Sequence, residues 1–176
     1  MRIISGKYRG KFINPGKQFE ARPTTDFAKE SLFNILANTI DFEQVAVLDL
    51  FAGTGSIGFE FASRGSVKID SVELNFKHFE FIKNTAKDMK LVGFRAIRSD
   101  VIRFIKSCPY KYDIIFADPP FDLEQIPQLP ELVLNAGLLL PDGQFILEHP
   151  KNISFAGNKN MFDHRNYGSV NFSFFR

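Results

Sequence analysis

With 176 residues, 44% of them hydrophobic and 24% charged, the chain has room for one domain with a sizeable core and none for a second full domain. A net charge of only +2 leaves any nucleic-acid affinity to the placement of cations rather than their sum. The single cysteine, Cys108, excludes an internal disulfide and a multi-cysteine zinc site, and no stretch after Met1 is long and apolar enough for a signal segment or a membrane span, so the sequence predicts a cytoplasmic protein.

Residues 1 to 19 hold five cations, Arg2, Lys7, Arg9, Lys11 and Lys17, and no acid, with Ile3, Ile4, Tyr8, Phe12 and Ile13 interleaved. Gly6, Gly10 and Gly16 cut this arm into short extended pieces, which predicts a small N-terminal β-hairpin over residues 1 to 21 ahead of the main domain at 22 to 176. Cations mixed with aromatic rings suit phosphate contacts and base stacking, which makes Lys7, Arg9 and Lys11 candidate RNA-binding residues; a solvated edge ribbon has the same composition. Arg22-Pro23-Thr24-Thr25-Asp26 then leads into a helix whose Ala28, Leu32, Ile35 and Leu36 fall on one stripe. Thr24 or Thr25 is expected to cap it. Capping gives no reason for Arg22, which is read as a site residue able to bind a phosphate or a carboxylate.

Val45 to Phe51 reads as the first sheet strand and runs into Gly53-Thr54-Gly55-Ser56-Ile57-Gly58, a G-x-G-x-x-G spacing before a helix at about Ser56 to Arg64. A second strand, Val67 to Val72, ends at Glu73, twenty residues after Gly53, where an acid can take ribose hydroxyls. Phe76 to Lys90 carries Phe79, Ile82, Ala86 and Met89 at helical spacing, and Phe94 to Arg98 supplies a third strand. Asp100 and Val101 follow it. Asp100 fits an adenine edge and fits equally well as the cap of a helix starting at Val101.

The fourth strand, Tyr112 to Ala117, is a continuous apolar run that ends in Asp118-Pro119-Pro120-Phe121. The two prolines stop hydrogen bonding and stiffen the loop, so a carboxylate and a ring are presented at the carboxyl end of a buried strand, where ligands of open α/β sheets sit. Pro127, Pro130 and Gly137 predict broken helical turns between Glu124 and Leu140, Gly143 to Glu148 a fifth strand, and Met161 to Asn166 with Ser169 to Phe175 a closing antiparallel hairpin. His78, His149 and His164 share no metal-ligand spacing and are read as surface or hairpin residues; no metal is expected.

This alternation predicts a doubly wound, mainly parallel seven-stranded sheet, Rossmann-like in plan. The glycine loop alone would serve a nicotinamide dinucleotide. Asp49 argues otherwise, because a carboxylate four residues before Gly53 repels a pyrophosphate and suits a cation. S-adenosylmethionine has the required groups: an ammonium, a sulfonium, a ribose diol, an adenine and no phosphate.

The stretches Asp49-Leu50-Phe51-Ala52-Gly53-Thr54-Gly55-Ser56-Ile57-Gly58, Val72-Glu73-Leu74-Asn75 and Asp118-Pro119-Pro120-Phe121 resemble motifs of class I S-adenosylmethionine-dependent methyltransferases that act on exocyclic amines. Together with Arg2 to Gly10 and Arg22-Pro23-Thr24-Thr25-Asp26, they resemble the bacterial 16S ribosomal RNA guanine-N2 methyltransferases of the RsmD type, from residue 2 to about residue 148. The resemblance implies that Phe51, Gly53 and Gly55 wrap the methionine end of the cofactor, that Glu73 holds the ribose, and that Asp100 and Val101 flank the adenine. It also implies that Asp118 and the Pro119 carbonyl hold the target amine, with Pro120 stiffening the loop and Phe121 stacking on the base. The expected partner is 16S rRNA in the small ribosomal subunit, and the expected state is a monomer. An adenine-N6 methyltransferase and a non-catalytic RNA-binding assembly factor are the alternative readings.

Overall fold

A computed structural model of the chain describes residues 1–16, 26–168 and 170–176. Arg22, Lys17 and the capping threonines lie outside the described residues.

Seven strands form one sheet in the order β3-β2-β1-β4-β5-β7-β6. The strands β1 (Ala46–Leu50), β2 (Lys68–Glu73), β3 (Phe94–Arg98), β4 (Tyr112–Ala117) and β5 (Leu139–His149) run parallel. Against β5 the chain closes with β7 (Val170–Phe175) and β6 (Met161–Tyr167), paired antiparallel. Helices α1 (Asp26–Leu36), α2 (Ser56–Ser63), α3 (Phe76–Asp88), α4 (Val101–Ser107) and α5 (Leu129–Asn135) cover both faces. This is the doubly wound, Rossmann-like plan.

Side-chain alternation divides the core in two. Leu48, Leu50, Val72, Ile115, Ala117, Phe145 and Leu147 pack towards α4 and α5, while Val47, Ile69, Ile114, Phe116 and Ile146 pack towards α1 and α2. At the amino ends of the strands, Asp70 is 1% exposed. Arg95 donates to both its oxygens (Nε to Oδ1 2.8 Å, Nη2 to Oδ2 2.7 Å), and the Tyr112 hydroxyl donates to Oδ2 at 2.6 Å. One satisfied acid thus ties β2 to β3 and β4.

The N-terminal arm folds back on itself about one antiparallel bridge, Arg2 with Phe12: the Met1 ammonium donates to the Ile13 carbonyl and the Ile13 N–H to the Met1 carbonyl, both at 3.0 Å, the Ile3 N–H donates to the Lys11 carbonyl at 3.0 Å and the Gly10 N–H to the Ile3 carbonyl at 2.9 Å. The arm also lies on helix α2, with Ile4 and Ser5 giving their N–H groups to Glu60. One expectation changes. Strand β5 begins four residues early, because a register shift between Tyr112 and Ile114 absorbs the Pro141 to Gly143 interruption. The helical turns expected between Glu124 and Leu140 are broken into two short pieces, and Pro127 and Pro130 stand at their starts. They sit in the first turns of a 3-10 helix, Ile126–Gln128, and of α5, where a missing N–H costs nothing.

Candidate active site

The carboxyl ends of β1, β2, β4 and β5 each carry an acid: Asp49, Glu73, Asp118 and Glu148. Period-two alternation puts all four on the α1 and α2 face of the sheet, since each follows Val47, Ser71, Phe116 or Ile146 by two residues. Asp49, Glu73 and Glu148 are buried, and Asp118 is half-buried.

Asp49 is 2% exposed, and its Oδ2 accepts the Gly58 N–H at 3.1 Å. Burial pushes its carboxyl up to about 8, the Gly58 hydrogen bond opposing this and the negative charges of Asp118 and Glu73 adding to it. Three acids therefore lie within electrostatic reach of one another, and a cation entering among them would relieve their repulsion.

Glu73 does more than the sequence suggested. Its Oε2 accepts the Gly53 N–H at 2.8 Å and its Oε1 accepts the Asn75 N–H at 2.7 Å, so the carboxylate fastens the glycine loop to the end of β2. A carboxylate has about four lone-pair directions, which leaves acceptor capacity for a diol after two backbone bonds.

The loop itself turns on left-handed backbone at Phe51 (φ 59), Gly53 (φ 57) and Gly55 (φ 76). A Cβ placed on Gly53 would meet only the Phe51 carbonyl, at 3.9 Å, so this glycine opens its backbone to an approaching ligand. A Cβ on Gly55 would come within 2.8 Å of the Phe59 ring and 3.1 Å of Ile82. Gly55 is small because the core demands it.

Asp100 caps α4, accepting the Arg103 N–H at 2.9 Å through Oδ1. The capping alternative is therefore realised, and the carboxylate remains exposed at the sheet's ligand end. Val101 is 4% exposed and belongs to the core, so what it can offer a ligand is backbone N–H at a helix start. Beyond β4, Pro119 is buried, Pro120 exposed and Phe121 half-buried, with the Leu123 N–H closing the turn onto the Pro120 carbonyl at 2.9 Å. The stiff loop expected there is present.

Residues that sequence reasoning missed lie nearby. Leu74 follows Glu73 and is 61% exposed, an apolar surface at the carboxyl end of β2. Glu148 closes β5 as Asp118 closes β4, one residue past the registered pair Ala117 and Leu147, and that parallel was readable in the strand pattern. His149 is not on the surface. It is 1% exposed, bonded through Nε2 to the Ser173 hydroxyl at 2.9 Å, which in turn lies 3.1 Å from His164 Nδ1, and burial lowers its pKa. Lys29 is likewise buried, on α1.

Lys7, Arg9 and Lys11 are exposed on the arm, well away from these acids. The Lys7 N–H bonds to the Ser63 carbonyl at 2.7 Å, at the far end of α2 from the glycine loop, and an eight-residue helix spans about 12 Å. Among the described residues no group of three His, Cys, Asp or Glu is arranged to hold a metal ion, and no helix is long and apolar enough to cross a membrane.

The residues present fit S-adenosylmethionine: acids for its two cations, a carboxylate beside an exposed apolar side chain for ribose and adenine, and an open glycine for close approach. Comparison with known proteins agrees. The family described as "Conserved hypothetical protein 95" matches residues 1–176. The chain is 30% identical over 154 residues to ribosomal RNA small subunit methyltransferase D of Buchnera aphidicola, covering 88% of this chain and 78% of that protein. It is 32% identical over 149 residues to the protein of the same name in Escherichia coli, covering 84% and 74%. Among solved structures, a putative methyltransferase, yhhF, from Escherichia coli superposes with a TM-score of 0.87 at 26% identity over 99% of this chain and 96% of that one. A putative methyltransferase complexed with S-adenosylhomocysteine (SAH), SMU.776, shares the fold at 18% identity, with a TM-score of 0.67 over 83% of this chain and 48% of that one. The chain belongs to the ribosomal RNA small subunit methyltransferase D (RsmD) family of S-adenosylmethionine-dependent RNA methyltransferases.

Proposed function

We propose that this protein methylates the exocyclic N2 amine of one guanine in 16S rRNA of the small ribosomal subunit, the guanine-966 activity of its family type, using S-adenosylmethionine. One observation carries the reading. A strand buried on both faces delivers Asp118 and the Pro119 carbonyl, on a proline-stiffened loop with Phe121, to the same sheet end and face as Asp49 and Glu73.

The cofactor, when bound, supplies an electrophilic methyl on a sulfonium. The protein's part is to position the acceptor. Guanine N2 is a weak nucleophile, because its lone pair is delocalised into the ring. Its two N–H groups donate to the Asp118 carboxylate and the Pro119 carbonyl, which orients the nitrogen and favours its pyramidal form as the N–C bond forms and the C–S bond breaks. The positive charge that develops on nitrogen is met by Asp118 and lost with a proton. Phe121 holds the base by stacking. Fixed orientation and fixed charge are the sources of rate here. Phe51, Gly53 and Gly55 would take the methionine end, Glu73 the ribose, and Leu74, Asp100 and Val101 the adenine. Lys7, Arg9, Lys11 and Arg22 would contact RNA phosphates, and the protein would act as a cytoplasmic monomer.

The test is transfer of labelled methyl groups to small subunits purified from a strain lacking this modification, followed by nucleoside analysis. N2-methylguanosine is the expected product. N6-methyladenosine would redirect the assignment to an adenine amine, which the same Asp-Pro-Pro-Phe arrangement can also hold. RNA binding with no cofactor binding would leave only an assembly role.

A further inference from the structure

The N-terminal arm and the glycine loop are parts of one packed unit, and a buried lysine joins them. Ile3 and Ile13 from the arm are buried in the same cluster as Ala52, next to Gly53, and Phe59 of α2. The arm lies along α2 through backbone groups. Ile4 and Ser5 donate N–H groups to the two oxygens of Glu60 at 2.8 and 3.0 Å, the Tyr8 N–H donates to the Ser63 hydroxyl at 3.0 Å, and the Lys7 N–H donates to the Ser63 carbonyl. Gly6 passes so near the helix end, at φ 79, that a Cβ there would collide with the Ser63 carbonyl. At the other end, Met1 reaches the loop, its Sδ 3.4 Å from Thr54 Oγ1.

Lys29 closes this arrangement from α1. The residue is 1% exposed, and its Nζ donates to the Arg2 carbonyl at 2.7 Å and to the Ser56 hydroxyl at 3.1 Å, with Asp26 at 4.0 Å. Ser56 is the residue after Gly55 and the first of α2. One ammonium therefore holds the arm and the glycine loop together. A fully buried lysine is costly unless its donors are satisfied, and burial lowers its pKa against the opposing charges of Glu60 and Asp26. A mere filler of that volume would carry no charge.

We propose that Lys29 is a positioning residue for the cofactor loop and that, through it, the docked arm sets the loop's geometry, so that RNA bound on the arm and cofactor bound in the loop assist one another. The inference rests on the reading of the protein as an RNA methyltransferase. Neither Lys29 nor the arm need touch the cofactor. The arm's cations are exposed at its tip, while its docking uses backbone N–H groups, so RNA can stabilise the docked position without displacing any of the bonds described.

Calorimetric titration of S-adenosylmethionine into wild type, Lys29→Met, Lys29→Arg and Gly6→Ala, each with and without a saturating small-subunit rRNA fragment, tests this. Lys29→Met preserves the volume and should weaken cofactor binding about tenfold while leaving the thermal midpoint in place, with Lys29→Arg recovering most of the affinity. Gly6→Ala acts from the far end of α2 and should also weaken cofactor binding, by a few-fold, through loss of arm docking alone. RNA should tighten cofactor binding in wild type and not in Gly6→Ala. Wild-type cofactor affinity in both Lys29→Met and Gly6→Ala, or cofactor affinity in wild type that RNA leaves unchanged, would overturn the inference while leaving the methyltransferase reading intact. A wild-type protein that binds no S-adenosylmethionine would instead overturn that reading. Should Lys29→Met fail to fold, the Gly6→Ala titration decides.

Discussion

The two ends of the sheet treat buried acids in opposite ways. At the amino end, Asp70 on β2 is enclosed by a bidentate guanidinium and a phenol from its own chain, and the charge is fully used in holding three strands together. At the carboxyl end, Asp49 on the neighbouring strand is equally buried, and burial raises its carboxyl to about 8, the Gly58 N–H opposing this and the negative charges of Asp118 and Glu73 adding to it. The first acid is satisfied by the fold. The second is held where its ionised form is disfavoured, and a positive group placed beside it would reverse that. Functional pockets hold such destabilised groups because their compensation arrives with the ligand. The basic arm tip adds to the contrast, since it lies at the end of α2 away from the acidic mouth. A near-neutral protein can thus attract a polyanion at one end of the sheet and a cation at the other.

The sharpest way to break this comparison is to remove Asp118, the acid proposed to hold the substrate amine. Asp118→Ala should lower turnover by roughly 10² to 10⁴ while leaving S-adenosylmethionine affinity nearly unchanged, as for other positioned acid-base or orienting groups. Single-turnover kinetics with calorimetry on the same preparation checks both halves. A wild-type rate would remove Asp118 from the chemistry.

Glu73 comes next. Loss of hydrogen bonds from a charged acceptor costs about 1.5 to 3 kcal/mol, so Glu73→Ala should weaken cofactor binding by about that amount. Because Glu73 also fastens Gly53 and Asn75, the alanine variant should release the loop as well, and the amide exchange of Gly53 should speed up. Unchanged cofactor affinity with a loosened loop would make Glu73 another Asp70: an acid that serves the fold alone.

Asp49 allows the comparison to be read as a function of pH. Its folded pKa of about 8 lies above the reference value of 3.8, so between these values the folded protein keeps a proton that the unfolded chain has lost. Stability should therefore fall as pH rises from about 4 to 8 and level off above that. Asp49→Asn should remove this slope and raise stability near pH 8 by about 1 to 2 kcal/mol. Cofactor binding should show the opposite sense: cations favour the ionised carboxylate, so a proton is released and affinity rises by up to about tenfold per pH unit until pH 8. Denaturation curves and buffer-dependent binding enthalpies at pH 7 measure the two effects. Proton uptake on binding would contradict the assignment.

Much of this arrangement was legible in the sequence, for a definable reason. Strand periodicity and terminal acids are local patterns, so Asp49, Glu73 and Asp118 stand out beside their strands, as do the glycine loop and the prolines after Asp118. What was hidden depends on partners far apart in the chain. Lys29 lies on the buried face of α1, three, four and seven residues before Leu32, Phe33 and Leu36, where the local pattern gives no reason for a lysine until Arg2 and Ser56 are brought to it. Glu60 reads as a surface acid on α2 until the arm lies across it. His149 is hidden by the late strand β7, which slots between β5 and β6 and covers it with Ser173.

The arm tip isolates charge from docking, and at high salt its effect is the smallest of these. Lys7, Arg9 and Lys11 are exposed, and the arm is held by backbone donors, Glu60 and Ser63 rather than by these ammonium and guanidinium groups. Neutralising all three should therefore leave the arm in place and S-adenosylmethionine affinity unaltered, in contrast to Gly6→Ala. Each cation that neutralises a phosphate contributes about 0.7 to 0.9 to the slope of log affinity against log salt, so the triple variant should flatten that slope by about two to three units. The difference from wild type is then large at low salt and shrinks as ions screen the tip. RNA affinity across a salt series, with cofactor titrations alongside, makes the measurement. Parallel slopes would mean that the tip is a solvated ribbon, and the RNA surface would then have to be sought beside Phe121 and at the exposed Phe27, whose ring meets Tyr167 edge to face at 6.2 Å.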